Sequence, residues 1–242
     1  MEATGRDQKI ILGDAYKLIK DVPSGSVDFV FTDPPYLFDG INFVGWRVSC
    51  KSDIDTPTLK NGVDNASMLP ELVRVLKKRG GCAVWCNKAQ IPGYFDFFKG
   101  WKFEVFVWIK TNVPPLYGNC FLHDKEYLLV FWRNGALRGT DWDNCHTYWI
   151  SPINARDKDL YGHPTIKPIE FVSKIISAYT DEGDMVLDPF SGSGTTACAC
   201  KELKRDFLGF EIDPKWHKVA CDRLNNKTAK ESKANMIQGK LF

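Results

Sequence analysis

Apolar residues recur along this chain in two rhythms that take turns. Short runs of apolar and β-branched residues predict strands at 9–12, 27–32, 81–86, 103–109, 126–131, 184–187 and 207–212. Between several of them, apolar positions spaced three and four apart predict helices at 15–20, 65–78, 89–98, 168–179, 195–202 and 214–224. Strand and helix in alternation predict an α/β fold, a mostly parallel sheet covered by helices. Two stretches break the pattern. Residues 37–62 are rich in Gly, Ser, Asp and Thr and predict a mobile loop. Residues 134–162 lack periodicity but carry Trp142, Tyr148 and Trp149 among Arg138, Arg156 and Lys158. Such interleaving suits base stacking with phosphate contact, and equally a cap packed by its own aromatics.

Composition narrows the class without deciding it. At 242 residues, 44% hydrophobic and 26% charged, the chain is expected to form one soluble domain spanning 1–242. A formal net charge of +2 gives no overall polyanion-binding field, so a nucleic-acid contact has to come from a local basic face. The run Arg74 to Arg79 is a candidate, although its position at the end of the predicted helix 65–78 is better explained as complementing that helix's dipole. The eight cysteines include Cys82-x3-Cys86 in an apolar strand and Cys198-x-Cys200 in a helix, with no paired C-x2-C set. They read as packed, reduced thiols of a cytoplasmic protein, with no metal site. No signal-peptide pattern and no membrane-spanning apolar window are present in the sequence.

The candidate chemistry lies just past two strands. Thr32-Asp33-Pro34-Pro35-Tyr36 follows the run 27–32, and a loop beyond a strand's carboxyl end is where open α/β sheets bind ligands. Pro35 forces the preceding residue into an extended conformation, so the Pro34 carbonyl is held rigidly beside the Asp33 carboxylate and the Tyr36 ring. Two fixed acceptors next to a stacking platform suit a planar group with an exocyclic NH2. A plain Pro-rich turn is the alternative.

Asp188-Pro189-Phe190-Ser191-Gly192-Ser193-Gly194-Thr195-Thr196 also runs from a strand into a helix. Its glycines let the backbone approach a ligand over a helix N-terminus. Glu211, at the end of the next strand, can accept both hydroxyls of a ribose. Gly192-x-Gly194-x-x-Ala197 also satisfies the dinucleotide fingerprint, so a nicotinamide-dependent oxidoreductase competes on this segment alone. A dehydrogenase, however, leaves Asp33 to Tyr36 without a task. A non-catalytic nucleic-acid-binding partner would have no chemical need of Asp33, Tyr36, Gly192 and Gly194 together. Asp14, after Gly13, reads either as a helix N-cap or as a ligand residue.

These segments, with His163-Pro164-Thr165-Ile166-Lys167-Pro168 and Phe210-Glu211-Ile212-Asp213-Pro214, together resemble the β-class DNA amino-methyltransferases that use S-adenosylmethionine. The resemblance implies a doubly wound, mostly parallel seven-stranded sheet of the Rossmann-like methyltransferase type. It implies that Asp33, Pro34, Pro35 and Tyr36 act on an amino group of a flipped base. Tyr36 would stack on that base, worth on the order of 1–3 kcal/mol. It assigns the ribose to Glu211 and the adenine amino group of the cofactor to Asp14. Its methionine part falls to Asp188, Phe190, Ser191, Gly192, Gly194 and Thr195 with Thr165 and Lys167, the lysine facing the carboxylate. Asp at the head of the tetrapeptide resembles the adenine-N6 subgroup more than the cytosine-N4 one. Residues 134–162 would be a short target-recognition region. A homodimer on double-stranded DNA, with a companion restriction endonuclease, completes the expectation.

Overall fold

Parallel pairing between strands far apart in sequence builds the sheet. The computed structural model describes residues 8–35, 64–113, 121–134, 145–153, 155–162 and 165–225. Its strands are β1 (Gln8–Leu12), β2 (Val27–Thr32), β3 (Leu76–Cys86), β4 (Lys102–Lys110), β5 (Lys125–Trp132), β6 (Tyr148–Ser151), β7 (Met185–Asp188) and β8 (Asp206–Glu211). They lie in the order β1-β8-β7-β2-β3-β5-β4-β6. Only β5 runs against the others, pairing antiparallel with both β3 and β4. The helices are α1 (Ala15–Leu18), α2 (Asn65–Val75), α3 (Ile91–Phe97), α4 (Ala155–Tyr161), α5 (Ile169–Tyr179), α6 (Thr195–Glu202) and α7 (Pro214–Leu224).

The central strands carry apolar runs on both faces because both faces are covered. Along β2, Val30 faces a core shared with Met68, Leu72, Tyr94 and Phe98. Phe29 and Phe31 face the opposite core, with Phe171, Ile175 and Phe207. The period-two alternation that marks a strand is therefore hidden in sequence, since inward residues exist on both sides. Strand β3 divides the same way, with Cys82, Val84 and Cys86 on the first side and Ala83 and Trp85 on the second. Burial pushes the Cys86 thiol up to about 12 and the Cys82 thiol higher still, which makes both packing groups rather than nucleophiles.

Two expectations are corrected. The sheet has eight strands among the described residues, not seven. The extra one, β6, is a four-residue edge strand inside 134–162, beside β4. Four residues are too few to show a period, and its anchor is tertiary: Trp149 stacks on Phe171 with ring centroids 5.8 Å apart. The second correction concerns the helix expected over 65–78. It stops at Val75, and Leu76 to Arg79 open β3, where Leu76 pairs with Val27. Pairing with β2 wins over the helical pattern there. Arg74 instead ties α2 down, its guanidinium donating to the carbonyls of Ile19 and Val22 at 2.8 Å each. Lys77 pairs with Asp28 at 2.7 Å. The expected loop 37–62 lies outside the described residues, as do Tyr36, His163, Pro164, Arg138, Trp142 and the side chains of Arg156 and Lys158. Among the described residues, no helix is long and apolar enough to cross a membrane.

Candidate active site

Strands β2 and β7 are parallel neighbours, with Val30 opposite Leu187. Their carboxyl ends therefore open side by side, and the loops that follow, Asp33-Pro34-Pro35 and Asp188 to Gly194, enter one crevice. Pro34 is buried, while Asp33 and Pro35 are half-buried. The two loops sense each other electrically, because the charge of Asp33 acts on Asp188. Asp188 is itself buried, and loss of hydration pushes its carboxyl up to about 7. Hydrogen bonds from the Thr196 hydroxyl (2.6 Å) and the Phe190 N–H (3.1 Å) oppose that rise, and Asp33 adds to it.

The glycine turn is pinned at several points. Ser191 N–H donates to the Phe210 carbonyl at 2.8 Å and its hydroxyl to the Asp188 carbonyl at 3.1 Å. Gly192 N–H donates to Glu211 Oε2 at 2.8 Å. Gly194 takes φ of +77°, a left-handed conformation that costs glycine nothing, and Thr195 starts α6 immediately after it. Phe190 packs against the first core. Behind the turn Gly209 of β8 leaves no space: a Cβ there would lie 2.2 Å from Ser191 Oγ and 2.7 Å from the Phe207 ring. Gly209→Ala is expected to displace the turn, destabilise the fold by about 1–3 kcal/mol and weaken cofactor binding in parallel. Thermal unfolding and a binding titration on the same preparation check it.

Glu211 and Asp14 flank the turn. Glu211 accepts from Gly192 N–H and, through Oε1, from Asp213 N–H at 2.9 Å; burial raises its carboxyl above the usual range. Asp14 is the N-cap of α1, accepting from Tyr16 N–H at 3.0 Å, and Gly13 N–H joins the Glu211 carbonyl at 2.8 Å.

Of the segment 163–168, Thr165 is exposed and Lys167 buried. The Lys167 ammonium donates to Asp33 Oδ2 at 2.6 Å and lies 3.1 Å from Glu126 Oε2. Glu126 in turn pairs with Lys110. Burial alone would push the Lys167 ammonium down, but the two carboxylates outweigh it and hold it above its ordinary value. Burial would likewise raise Glu126, and Lys167 with Lys110 holds it below the usual carboxylate range.

Sequence reasoning gave Glu126, Lys110 and Arg223 no role in the site. A glutamate inside an apolar strand was the available signal for the first, since such a residue is rarely buried without a partner. Arg223 of α7 had no local signal. It is buried, donates to Thr195 Oγ1 at 2.9 Å, and reaches Asp157 of α4 at 3.3 Å.

Comparison with known proteins accords with this arrangement. The sequence pattern of the DNA methylase family matches residues 27–222, from the start of β2 to within α7. The chain belongs to that family. Among its relatives, this DNA methylase is similar to the Type II methyltransferase M2.LlaDCHI of Lactococcus lactis subsp. cremoris, 28% identical over 89% of this chain and 88% of the relative. It is also similar to the Type II methyltransferase M.HpaI of Haemophilus parainfluenzae, 25% identical over 91% and 75% of the two chains. The solved M1.HpyAVI–SAM complex superposes with a TM-score of 0.67 at 27% identity, covering 89% of this chain and 99% of that one. The cytosine-N4-specific PvuII DNA methyltransferase shares the fold at a TM-score of 0.68 and 18% identity, over 91% and 87% of the chains. Family membership removes the oxidoreductase reading. The methylase is an amino-methyltransferase of the N6/N4 class, with Asp33-Pro34-Pro35 early in the chain and the glycine turn late.

Proposed function

We propose that this DNA methylase transfers a methyl group from S-adenosylmethionine to the N6 amino group of an adenine flipped out of duplex DNA. The observation that carries the reading is the meeting of Asp33-Pro34 and the Asp188–Gly194 turn at adjacent strand ends. The donor set fits the cofactor. Asp188 offers a buried carboxylate to an ammonium, Glu211 offers one to ribose hydroxyls, and the turn is seated where no Cβ fits behind it. Phe190, Ser191, Gly192, Gly194, Thr195 and Asp14 line the same reading, with Thr165 at its edge.

When bound, S-adenosylmethionine supplies an electrophilic methyl carbon on a sulfonium. The chain's own work is on the amine, whose lone pair is delocalised into the base. Asp33 and the Pro34 carbonyl accept its N–H groups, favour a more tetrahedral nitrogen, and stabilise the positive charge that develops there. The base must leave the stack, because its amino group faces its pairing partner in the duplex. Tyr36 supplies the surface that receives it. Holding amine and methyl in register provides much of the remaining acceleration. No covalent enzyme intermediate is required.

Asp33 at the head of the tetrapeptide supports adenine over cytosine. The shortness of 134–162 supports a homodimer, in which a second copy enlarges the DNA-facing surface. A companion restriction endonuclease and a cytoplasmic site of action belong to the same reading. Incubation with tritiated S-adenosylmethionine and mixed-sequence duplex DNA, followed by nucleoside separation, tests it. Label is expected in N6-methyladenine. Label in N4-methylcytosine overturns the base assignment, and an unlabelled digest overturns the reaction.

A further inference from the structure

Four charged side chains from four separate segments stand in one row that ends at Asp33, Lys167 buried and the other three half-buried. Lys110 of β4 pairs with Glu126 of β5, Glu126 with Lys167 before α5, and Lys167 with Asp33 after β2. Charge alternates along the row, and with Asp33 ionised it sums to zero. The Lys167 ammonium also sits 5.1 Å from the centroid of the Trp85 ring. Its side chain is 8% exposed, against 28% for Asp33. An ammonium taken out of water needs compensating partners: Asp33 accepts one N–H, and the Glu126 carboxylate 3.1 Å away and the Trp85 ring offset the charge.

We propose that Lys167 is a positioning residue for methyl transfer: anchored by Glu126, it holds the Asp33 carboxylate ionised and in one orientation toward the acceptor amine, and it is not the ligand of the cofactor's carboxylate. This rests on the reading of Asp33 as the amine's acceptor. A lysine that turned to the cofactor would give up a 2.6 Å charged hydrogen bond and leave Asp33 facing Asp188, like charge against like. An ionised carboxylate presents about four lone-pair sites, more than one lysine takes up, so Asp33 can hold Lys167 through Oδ2 and still accept from an amine. Glu126 and Lys110 complete the device. Without Glu126 nothing in the row draws Lys167 back from Asp33.

Among the described residues, the groups facing Asp33 include Lys167, Asp188 at the end of β7, Cys86 at the end of β3 and Tyr94 of α3, with Glu126 and Lys110 behind the lysine. Burial keeps the Cys86 thiol and the Tyr94 hydroxyl protonated through the neutral range. Saturating cofactor holds Asp188 ionised, which leaves Asp33 to set the acid limb of the rate profile.

The test measures kcat at saturating cofactor and DNA from the lowest pH at which each protein stays folded up to about pH 9, together with S-adenosylmethionine affinity by titration. Lys167→Met is expected to lower kcat about a hundredfold and to move the acid limb to higher pH, with cofactor affinity changed less than about threefold. Lys167→Arg keeps the cation and should restore kcat to within about tenfold of wild type. Glu126→Gln removes a negative charge behind Lys167 and should move the acid limb the opposite way, to lower pH. Should Lys167→Met fail to fold, the arginine and Glu126→Gln arms carry the test. A large loss of cofactor affinity with kcat at saturation preserved would make Lys167 a cofactor ligand and overturn the proposal. An acid limb that stays in place in the variants would overturn it too. The wild-type nucleoside product tests the reaction separately, and the variants are read against wild type whichever amine is methylated.

Discussion

Asp33→Ala is expected to lower kcat by roughly 10²–10³-fold, the usual consequence of deleting one preorganised partner of a developing charge. Cofactor affinity should hold, because Asp33 sits at the end of β2 and the cofactor turn is pinned from β8 and α6. Affinity near neutral pH should even rise slightly. The charge of Asp33 helps push up the Asp188 carboxyl, and removing it makes Asp188 easier to ionise. Asp33→Asn separates charge from shape: its amide keeps one acceptor of similar size, so it should fall between wild type and alanine. Single-turnover methylation with cofactor bound beforehand reads the effect. A variant that methylates at the wild-type rate would remove Asp33 from the chemistry.

The second large effect belongs to Asp188. Burial pushes its carboxyl up from the usual 3.8 to about 7. The form that receives an ammonium is the ionised one. Affinity for S-adenosylmethionine should therefore fall about tenfold per pH unit below 7, with a proton released on binding in that range. Calorimetry in buffers of different ionisation enthalpy measures that proton directly. Asp188→Asn should cost about 10²-fold or more in affinity at pH 8, the loss typical of a buried charged pair.

The same variant should unfold later than wild type. The sign follows from a folded-state pKa above the unfolded one. The folded protein binds more protons between about 4 and about 7, so wild-type stability falls as pH rises through that window. The gap from 3.8 to about 7 corresponds to on the order of 4 kcal/mol, an upper figure. Asparagine escapes that cost. It keeps an acceptor for Phe190 N–H, and Thr196 can turn its hydroxyl to accept. The melting temperature of Asp188→Asn minus that of wild type should grow from about pH 4 to about pH 7 and then level off. A flat difference would mean that Asp188 is ordinary.

How much of this was legible in sequence varied with how local its cause is. Helices α6 and α7 run over the expected residues, because Gly194 and Asp213 mark their starts within the chain itself. The acceptor loop and the glycine turn announced themselves through residues whose backbone chemistry is unusual. Strand β6 was missed because its only organiser is a neighbour, β4, joined by tertiary packing on Phe171. The end of α2 was misplaced because the choice between helix and strand for Leu76 to Arg79 is made by β2. Lys167 illustrates the same limit within the site. Its family segment implied a cation near the cofactor. That its ammonium lies between Asp33 and Glu126 depends on how β2, β5 and the start of α5 come together.

The neighbour relation of β2 with β7, and of β1 with β8, bears on how the chain is born. A ribosome that has released everything through β6 has made β2 and the loop after it, yet β7 beside β2 and β8 beyond it, which carry and seat the glycine turn, are still unmade. Until they emerge, β1 has no parallel neighbour and β2 exposes one hydrogen-bonding edge. Pairings that bridge most of the polypeptide form slowly, and such waiting strands attract aggregation and holding chaperones. On the proposed reading, competence in this enzyme is a late event of synthesis: a nascent chain arrested before β8 lacks Glu211 and the strand on which the glycine turn is seated.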